Sequence, residues 1–146
     1  MPANNSNDTN DYATNQSDLP LSGLRVLDLA TFIAAPFCAT MLAEFGAEVI
    51  KVEMPKHGDS QRQVGDKYND VGLFWAQENR NKMGVTCDLR MPEGQDIIKQ
   101  LVKHTDILVS NFRPGTIERW NLGYEELQKI NPRLIMLMIS AYGQTG

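Results

Sequence analysis

The sequence is poor in the features that mark the more easily read classes of protein. It has two cysteines, Cys38 and Cys87, far apart and without metal-ligand neighbours. That pattern excludes a disulfide framework and a thiolate zinc site, so no metal is expected and a reducing cytoplasm is the expected compartment. It has two histidines, His57 in a loop-like stretch and His104 at the end of a helical pattern. Neither has a Ser, Cys or acid at catalytic spacing, and neither is assigned chemistry. No apolar run approaches the length of a membrane span, and no apolar stretch of a secretory signal follows the start. The expectation is therefore a soluble, intracellular protein with no membrane partner. Cationic excess is missing as well: 14 Lys and Arg stand against 18 Asp and Glu, a formal net charge of −4. Three of those acids, Asp8, Asp11 and Asp18, lie in residues 1–18 without any Lys or Arg. The remainder is close to neutral, so there is no bulk field that would favour nucleic acid. No internal repeat is present.

What is there begins near Leu19. Residues 1–18 are mostly Asn, Asp, Ser and Thr, too polar to offset their ordering entropy, and are expected to form a disordered tail. Residues 19–146 then alternate two kinds of pattern. Leu24–Ala30 is a short apolar run with one acid, as in a buried strand. From Pro36 the spacing changes: Phe37, Met41, Leu42 and Phe45 share one helical face, with Gly46 as the stop. Ala47–Glu53 is the next strand, which completes a βαβ unit with an expected right-handed crossover. Residues 54–72 are expected to form a long surface loop, followed by a helical turn over Phe74–Gln77 and a strand over Gly84–Leu89. Pro92 opens a helix with an apolar stripe of Ile97, Ile98, Leu101 and Val102, and Met91 supplies no side-chain cap. A strand over Asp106–Ser110, two short helices around Gly123 and a strand over Arg133–Ser140 follow. The fold class is thus α/β: an open, mostly parallel, Rossmann-like sheet with helices on both faces. Ending on a strand, before any closing helix, it is expected to be a fragment, incomplete at its C-terminus.

In such sheets ligands bind beyond the carboxyl ends of the strands. The first βα turn, residues 30–36, has no glycine, and Phe32 and Ile33 would obstruct a pyrophosphate, which argues against a dinucleotide fingerprint. Glu53 ends the second strand where a ribose-binding acid would stand, but a strand often ends on a charge that meets water. Asn79, Arg80, Asn81 and Lys82 put two cations and two amides together. They read either as a solvated loop or as a cradle for a phosphorylated nucleotide. Asn111, Phe112 and Arg113 follow a buried strand directly, ahead of Pro114 and Gly115. Phe112 is either core or an aromatic that stacks on adenine. Arg119 on the next short helix is either exposed or within reach of a phosphate. Asp28, inside the first strand, is expected to be buried and to accept backbone hydrogen bonds.

Four collinear segments resemble the class III CoA-transferases, the family of formyl-CoA transferase and the carnitine CoA-transferases. They are LSGLRVLDLATFIAAPFCATMLAEFGAEVIKVE at 21–53, ENRNKMGVTCDLRMPEG at 78–94, DILVSNFRPGTIERWNLGYEEL at 106–127 and NPRLIMLMISAYGQTG at 131–146. The resemblance implies a Rossmann-like CoA-binding domain in an interlocked homodimer. It also implies ping-pong transfer of CoA from an acyl-CoA to a free carboxylic acid through an aspartyl intermediate. By position, Asn79–Lys82, Asn111–Arg113 and Arg119 would hold the adenosine and phosphates of coenzyme A. Ile33, Ala34, Ser140, Ala141, Tyr142 and Gly143 would approach the pantetheine and the reacting carbonyl. Ile33 stands where formyl-CoA transferases have Gln, and Met54 where they have Arg; both departures bear on formyl or oxalate specificity. The family's nucleophilic Asp is expected some tens of residues beyond Gly146, so no residue of this chain is assigned as catalytic. Two other readings remain open at this point: an acyl-CoA racemase or epimerase of the same fold, and a non-catalytic nucleotide-binding module.

Overall fold

Seven strands and five helices alternate along the computed structural model, which describes residues 18–145. In chain order they are β1 (Arg25–Asp28), α1 (Ala34–Glu44), β2 (Glu48–Glu53), β3 (Lys67–Tyr68), β4 (Val71–Gly72), α2 (Leu73–Glu78) and β5 (Lys82–Thr86). Then come α3 (Pro92–Val102), β6 (Ile107–Ser110), α4 (Thr116–Arg119), α5 (Tyr124–Ile130) and β7 (Ile135–Met138). The expected tail over 1–18 lies outside the described residues except for Asp18.

Five strands form one parallel sheet in the order β5-β2-β1-β6-β7. Asp28 pairs with Lys51 on one side of β1 and with Val109 on the other. The chain lays down β1, β2 and β5 outward in one direction, then returns to the other side of β1 for β6 and β7. Strand order therefore reverses between β1 and β6, and the crevice of a doubly wound sheet opens at that point. The expected fold class is what the structure has.

Strand alternation sends Val26 and Val49 to one face and Leu27 and Val52 to the other. On the first face the sheet meets α1 through Ala35, Ala39 and Ala43, which pack with Val26, Ala30, Val49 and Val109. The aromatic stripe read from the sequence is not the buried face: Phe37 is 45 % exposed and Phe45 50 %. Alanines at i, i+4 and i+8 bring the helix close to the sheet; Leu42 packs at the edge of this contact, and the two phenylalanines are turned outward. Gly46 does end α1. Its φ is +103° and its N–H is bonded to Ala43 O at 3.1 Å. The opposite face is covered by α3 and α5, with Ile98, Val102, Leu127 and Leu134 in the core. Full burial of side chains such as Ile98 contributes roughly 1.5–3 kcal/mol each. Met91 caps α3 without a side-chain hydrogen bond, as its sequence implied.

The stretch over 54–72 is more ordered than a plain loop. Asp59 caps a 3-10 turn at Ser60–Gln63, and β3 and β4 form a small antiparallel hairpin. It leads into α2, which is tied to α1 by a hydrogen bond from Thr40 Oγ1 to Glu78 O. β5 starts two residues before the expected Gly84, because Lys82 is a strand residue whose side chain turns inward.

Candidate functional site

Asp28 and Lys51 alternate with Val26 and Val49, so two charged side chains enter the α1 face of the sheet core. Neither reaches water: Asp28 is 0 % exposed and Lys51 2 %. Burial of an unpaired charge is prohibitive, so each requires partners. Lys51 Nζ lies 2.9 Å from Asp59 Oδ2 and 3.8 Å from Asp28 Oδ2, and it donates to Ala30 O at 3.0 Å. Lys82 Nζ donates to Asp28 Oδ2 at 3.0 Å, to Pro36 O at 2.7 Å and to Asn79 Oδ1 at 3.2 Å. Two cations and two carboxylates thus form a closed, neutral quartet beneath the β1–α1 turn. Burial pushes the Lys82 pKa below its ordinary value, although Asp28 acts in the other direction.

The turn itself is held from several sides. Asn111, at the carboxyl end of β6, accepts from Thr31 N at 2.9 Å and donates to Thr31 O at 2.7 Å. This amide spans the crevice where strand order reverses. Asp59 Oδ1 accepts from Phe32 N and from Gln61 N, both at 2.9 Å. Phe32 has φ of +69°, a backbone conformation that bulky L-residues rarely adopt. Asp28 accepts from Ala30 N at 3.0 Å, as its place in the strand implied.

Two clefts open at this carboxyl edge, with Phe112 common to both. The first has an apolar floor that includes Leu29, Val52, Cys87 and Leu89, an aromatic wall of Phe112 and Trp120, and a rim with Met54 and Arg90. Thr31 and Asp59 close it on the side of the turn. Phe112 and Trp120 meet edge to face, centroids 5.0 Å apart, so Phe112 is both core and wall. At the rim, two nitrogens of Arg90 bind the two carboxylate oxygens of Asp88 at 2.9 and 2.7 Å, which holds the Asp88 pKa down at about 2. Glu53 is tied to Arg62 in the same way, at 2.7 and 2.9 Å. Burial raises its pKa, but the hydrogen bonds from Arg62 and Asp59 N outweigh this and leave it below the ordinary value. Arg62 also stacks 3.5 Å above the Trp75 ring.

The second cleft lies between the ends of β6 and β7 and is lined by Asn111–Pro114 and Ser140–Gln144. There Ser140 Oγ donates to Gly143 O at 2.8 Å, and Tyr142 is 93 % exposed. Ile33 and Ala34 stand exposed at the head of α1; Arg113, in the lining of the second cleft, and Arg119, at the end of α4, are exposed as well. Arg119 Nη2 donates to Thr116 Oγ1 at 3.1 Å.

Most of the sequence-derived candidates therefore converge here, but the segment Asn79–Lys82 lines neither cleft. It runs into β5 at the amino end of the sheet, and only the side chains of Asn79 and Lys82 reach the underside of the turn. Arg80 is paired with Glu44, the last residue of α1. Asn81, with φ of +62°, lines a groove with Ser22 and Gly46. Asn79 donates to Gln61 Oε1 at 2.7 Å, and the Lys82 side chain is only 2 % exposed. Asn79 and Lys82 brace the turn from below, whereas Arg80 is half-buried against Glu44 and Asn81 is exposed. Asp59, Lys51, Trp120 and Arg90 were not singled out by sequence reasoning. Lys51 carried a usable signal, a lone cation inside an apolar strand. Among the described residues no three His, Cys, Asp or Glu are grouped closely enough to hold a metal ion, and no helix is long and apolar enough to cross a membrane.

A parallel doubly wound sheet with clefts at the carboxyl edge of the switch point defines an open α/β fold of the Rossmann-like class. The family model for CoA-transferase family III matches residues 21–146, so the chain belongs to that family. It is 57 % identical over 129 residues to the succinyl-CoA–L-malate CoA-transferase beta subunit of Chloroflexus aurantiacus, a match covering 88 % of this chain and 32 % of the relative. It is 41 % identical over 128 residues to the succinyl-CoA:glutarate CoA-transferase of Mus musculus, covering 87 % of this chain and 29 % of that protein. Among solved structures, a CAIB/BAIF family protein from Brucella suis superimposes with a TM-score of 0.82 at 37 % identity, over 88 % of this chain and 35 % of that one. The chain thus spans about a third of the length of these relatives.

Proposed function

We propose that this chain supplies the coenzyme A site of an enzyme that moves CoA from an acyl-CoA to a free carboxylic acid. The observation that carries the reading is the pair of clefts at the switch point, with an apolar, aromatic-walled slot on one side of Phe112 and an exposed strand end on the other. The slot suits a purine ring against Phe112 and Trp120. Arg113, Arg119 and Arg90 are the cations that stand near it for phosphates. Pantetheine would run past Ile33 and Ala34 towards residues 140–143.

In this reading the covalent step belongs to an Asp outside the chain. Its carboxylate attacks the donor thioester carbonyl, and the C–S bond breaks to give a mixed anhydride and CoA thiolate. The thiolate attacks the aspartyl carbonyl, releases the donor acid and leaves an aspartyl-CoA thioester. The acceptor carboxylate and the thiolate repeat the exchange in reverse, which restores the Asp. The carboxylates in and around the clefts, Glu53, Asp59 and Asp88, and the buried Asp28 beneath them are each already paired with a cation. Succinyl-CoA as donor and a dicarboxylic acid as acceptor are supported by the names of relatives at 57 % and 54 % identity, the second a succinyl-CoA–D-citramalate CoA-transferase from the same organism as the first. The exposed apolar residues Phe37, Phe45 and Ile135 are in keeping with burial against further protein, as in a homodimer. Two free thiols suit a reducing cytoplasm.

The test is the emission of Trp120 in a Trp75→Phe background as CoA is added. Saturable quenching, weakened by Phe112→Ala, is the expected result. Emission that stays constant up to millimolar CoA would sink the reading.

A further inference from the structure

We propose that Asp59 is a positioning residue for the pantetheine half of the ligand, acting through the backbone of Phe32. The proposal rests on the CoA-site reading above and assigns a task to a residue which that reading does not use.

The β1–α1 turn has to solve a problem that its own sequence does not. It contains no glycine, yet it places Phe32 at φ of +69° with the ring 46 % exposed. A left-handed Phe relaxes to the ordinary region unless something outside the turn holds it. The group that holds it is the Asp59 carboxylate, whose Oδ1 takes the Phe32 N–H at 2.9 Å. Asp59 is itself fixed. It is 3 % exposed, its Oδ2 is paired with Lys51 at 2.9 Å, and its own N–H donates to Glu53 Oε2 at 2.8 Å. Gln61 N shares the same Oδ1 at 2.9 Å. One buried carboxylate therefore transmits the rigidity of β2 and the 3-10 turn to the one strained residue ahead of Ile33 and Ala34. Without it the turn populates conformations with negative φ, and a ligand that contacts the turn binds only to the remaining competent fraction.

The prediction separates two halves of one ligand. Adenosine 3′,5′-bisphosphate carries the nucleotide of CoA and lacks the pantetheine arm. In the 146-residue chain, Asp59→Ala is expected to weaken CoA at least about tenfold. Because Asp59 also closes the purine slot, the bisphosphate comparison is made in Phe32→Pro, at a residue that lines neither cleft; there it should keep its affinity to within about twofold. Asp59→Asn keeps an oxygen at Oδ1 and should restore most of the CoA affinity. Phe32→Pro removes the N–H and forbids positive φ while leaving the ion pair with Lys51 intact. It should lose CoA selectively, and it decides the matter if Asp59→Ala does not fold. Wild-type CoA affinity in folded Asp59→Ala, or equal loss of both ligands in Phe32→Pro, overturns the positioning role. If the wild-type chain binds neither ligand, the CoA-site reading falls and this inference with it.

Discussion

Replacing Lys82 with methionine separates a structural lysine from a ligand-binding one. The side chain is 2 % exposed and its ammonium serves Asp28, Pro36 O and Asn79 Oδ1. Removal of one partner from a buried ion pair costs about 3–5 kcal/mol, because the other charge remains in the interior. Lys51, still 3.8 Å from Asp28, softens that loss. Against this, the Asn79 amide oxygen loses a donor, at ~1–3 kcal/mol if it stays dry, while the Pro36 carbonyl keeps the Thr40 hydroxyl at 2.9 Å. The two corrections oppose each other, so Lys82→Met is expected to lose about 3–5 kcal/mol of the ~5–15 kcal/mol that a domain of this kind has. Urea unfolding followed by tryptophan emission reads it directly, as a lower midpoint at unchanged slope. Asp28→Asn combined with Lys82→Met should cost less than the sum of the two single changes, since they share one interaction. A lysine that cradles phosphate gives the opposite pattern, with unchanged stability and a CoA affinity that falls and loses salt dependence. A loss below ~1 kcal/mol, the value of an exposed pair, would refute the buried-quartet argument.

Glu53→Gln should flatten the acid limb of the stability profile. The folded pKa of Glu53 lies below 4.5, so its contribution is complete above that value and is lost as pH falls through the lower folded one. Urea midpoints of both proteins between pH 6 and 3 check this, and parallel profiles would contradict it. On α1, Ala39→Leu should cost about 1–3 kcal/mol by overpacking the helix–sheet contact, whereas Phe37→Ser should cost less than about 0.5 kcal/mol. Thermal unfolding ranks the two, and the reverse order would restore the aromatic face as the core. Gly46→Ala puts a Cβ 2.6 Å from Leu19 Cβ at a φ of +103°, and a midpoint loss of more than about 1 kcal/mol is expected.

The sequence told most where a single physical rule dominates. Short apolar runs between helical patterns gave the parallel sheet, and Gly46 marked the end of α1 because only a residue without Cβ fits there. The α1 face was misread because apolarity was weighed by size. The contact is made by Ala35, Ala39 and Ala43, and alanine gives a weak periodic signal although it permits the closest approach. Asn79–Lys82 read either as a solvated loop or as a phosphate cradle, and the family resemblance favoured the cradle. Its pairing with Glu44 and Asp28 depends on contacts 36 and 54 residues apart in sequence, which no local pattern reveals. That Phe112, Arg113 and residues 140–143 would lie together at a cleft was legible because they follow the carboxyl ends of neighbouring strands.

The quartet beneath the site calls for an explanation, since well-packed apolar residues would be at least as stable as buried ion pairs. Apolar side chains, however, cannot grip a backbone. A glycine-rich turn reaches its conformation through its own torsional freedom, and the turn over residues 30–36 has none. Its shape is imposed by side chains from other segments. Asp28 takes Ala30 N, Lys51 binds Ala30 O, Asn111 reads both polar groups of Thr31, Asp59 takes Phe32 N and Lys82 binds Pro36 O. Donors and acceptors are both needed, and at two of these points the donor is an ammonium. Each ammonium in turn requires a carboxylate, so a neutral quartet is the smallest set that grips the turn and leaves no charge uncompensated. The same closure keeps the local field weak, and under the proposed function it leaves attraction of an anionic ligand to the exposed arginines. Stability and ligand attraction would then rest on different cations, and substitutions of the two kinds should differ in their salt dependence.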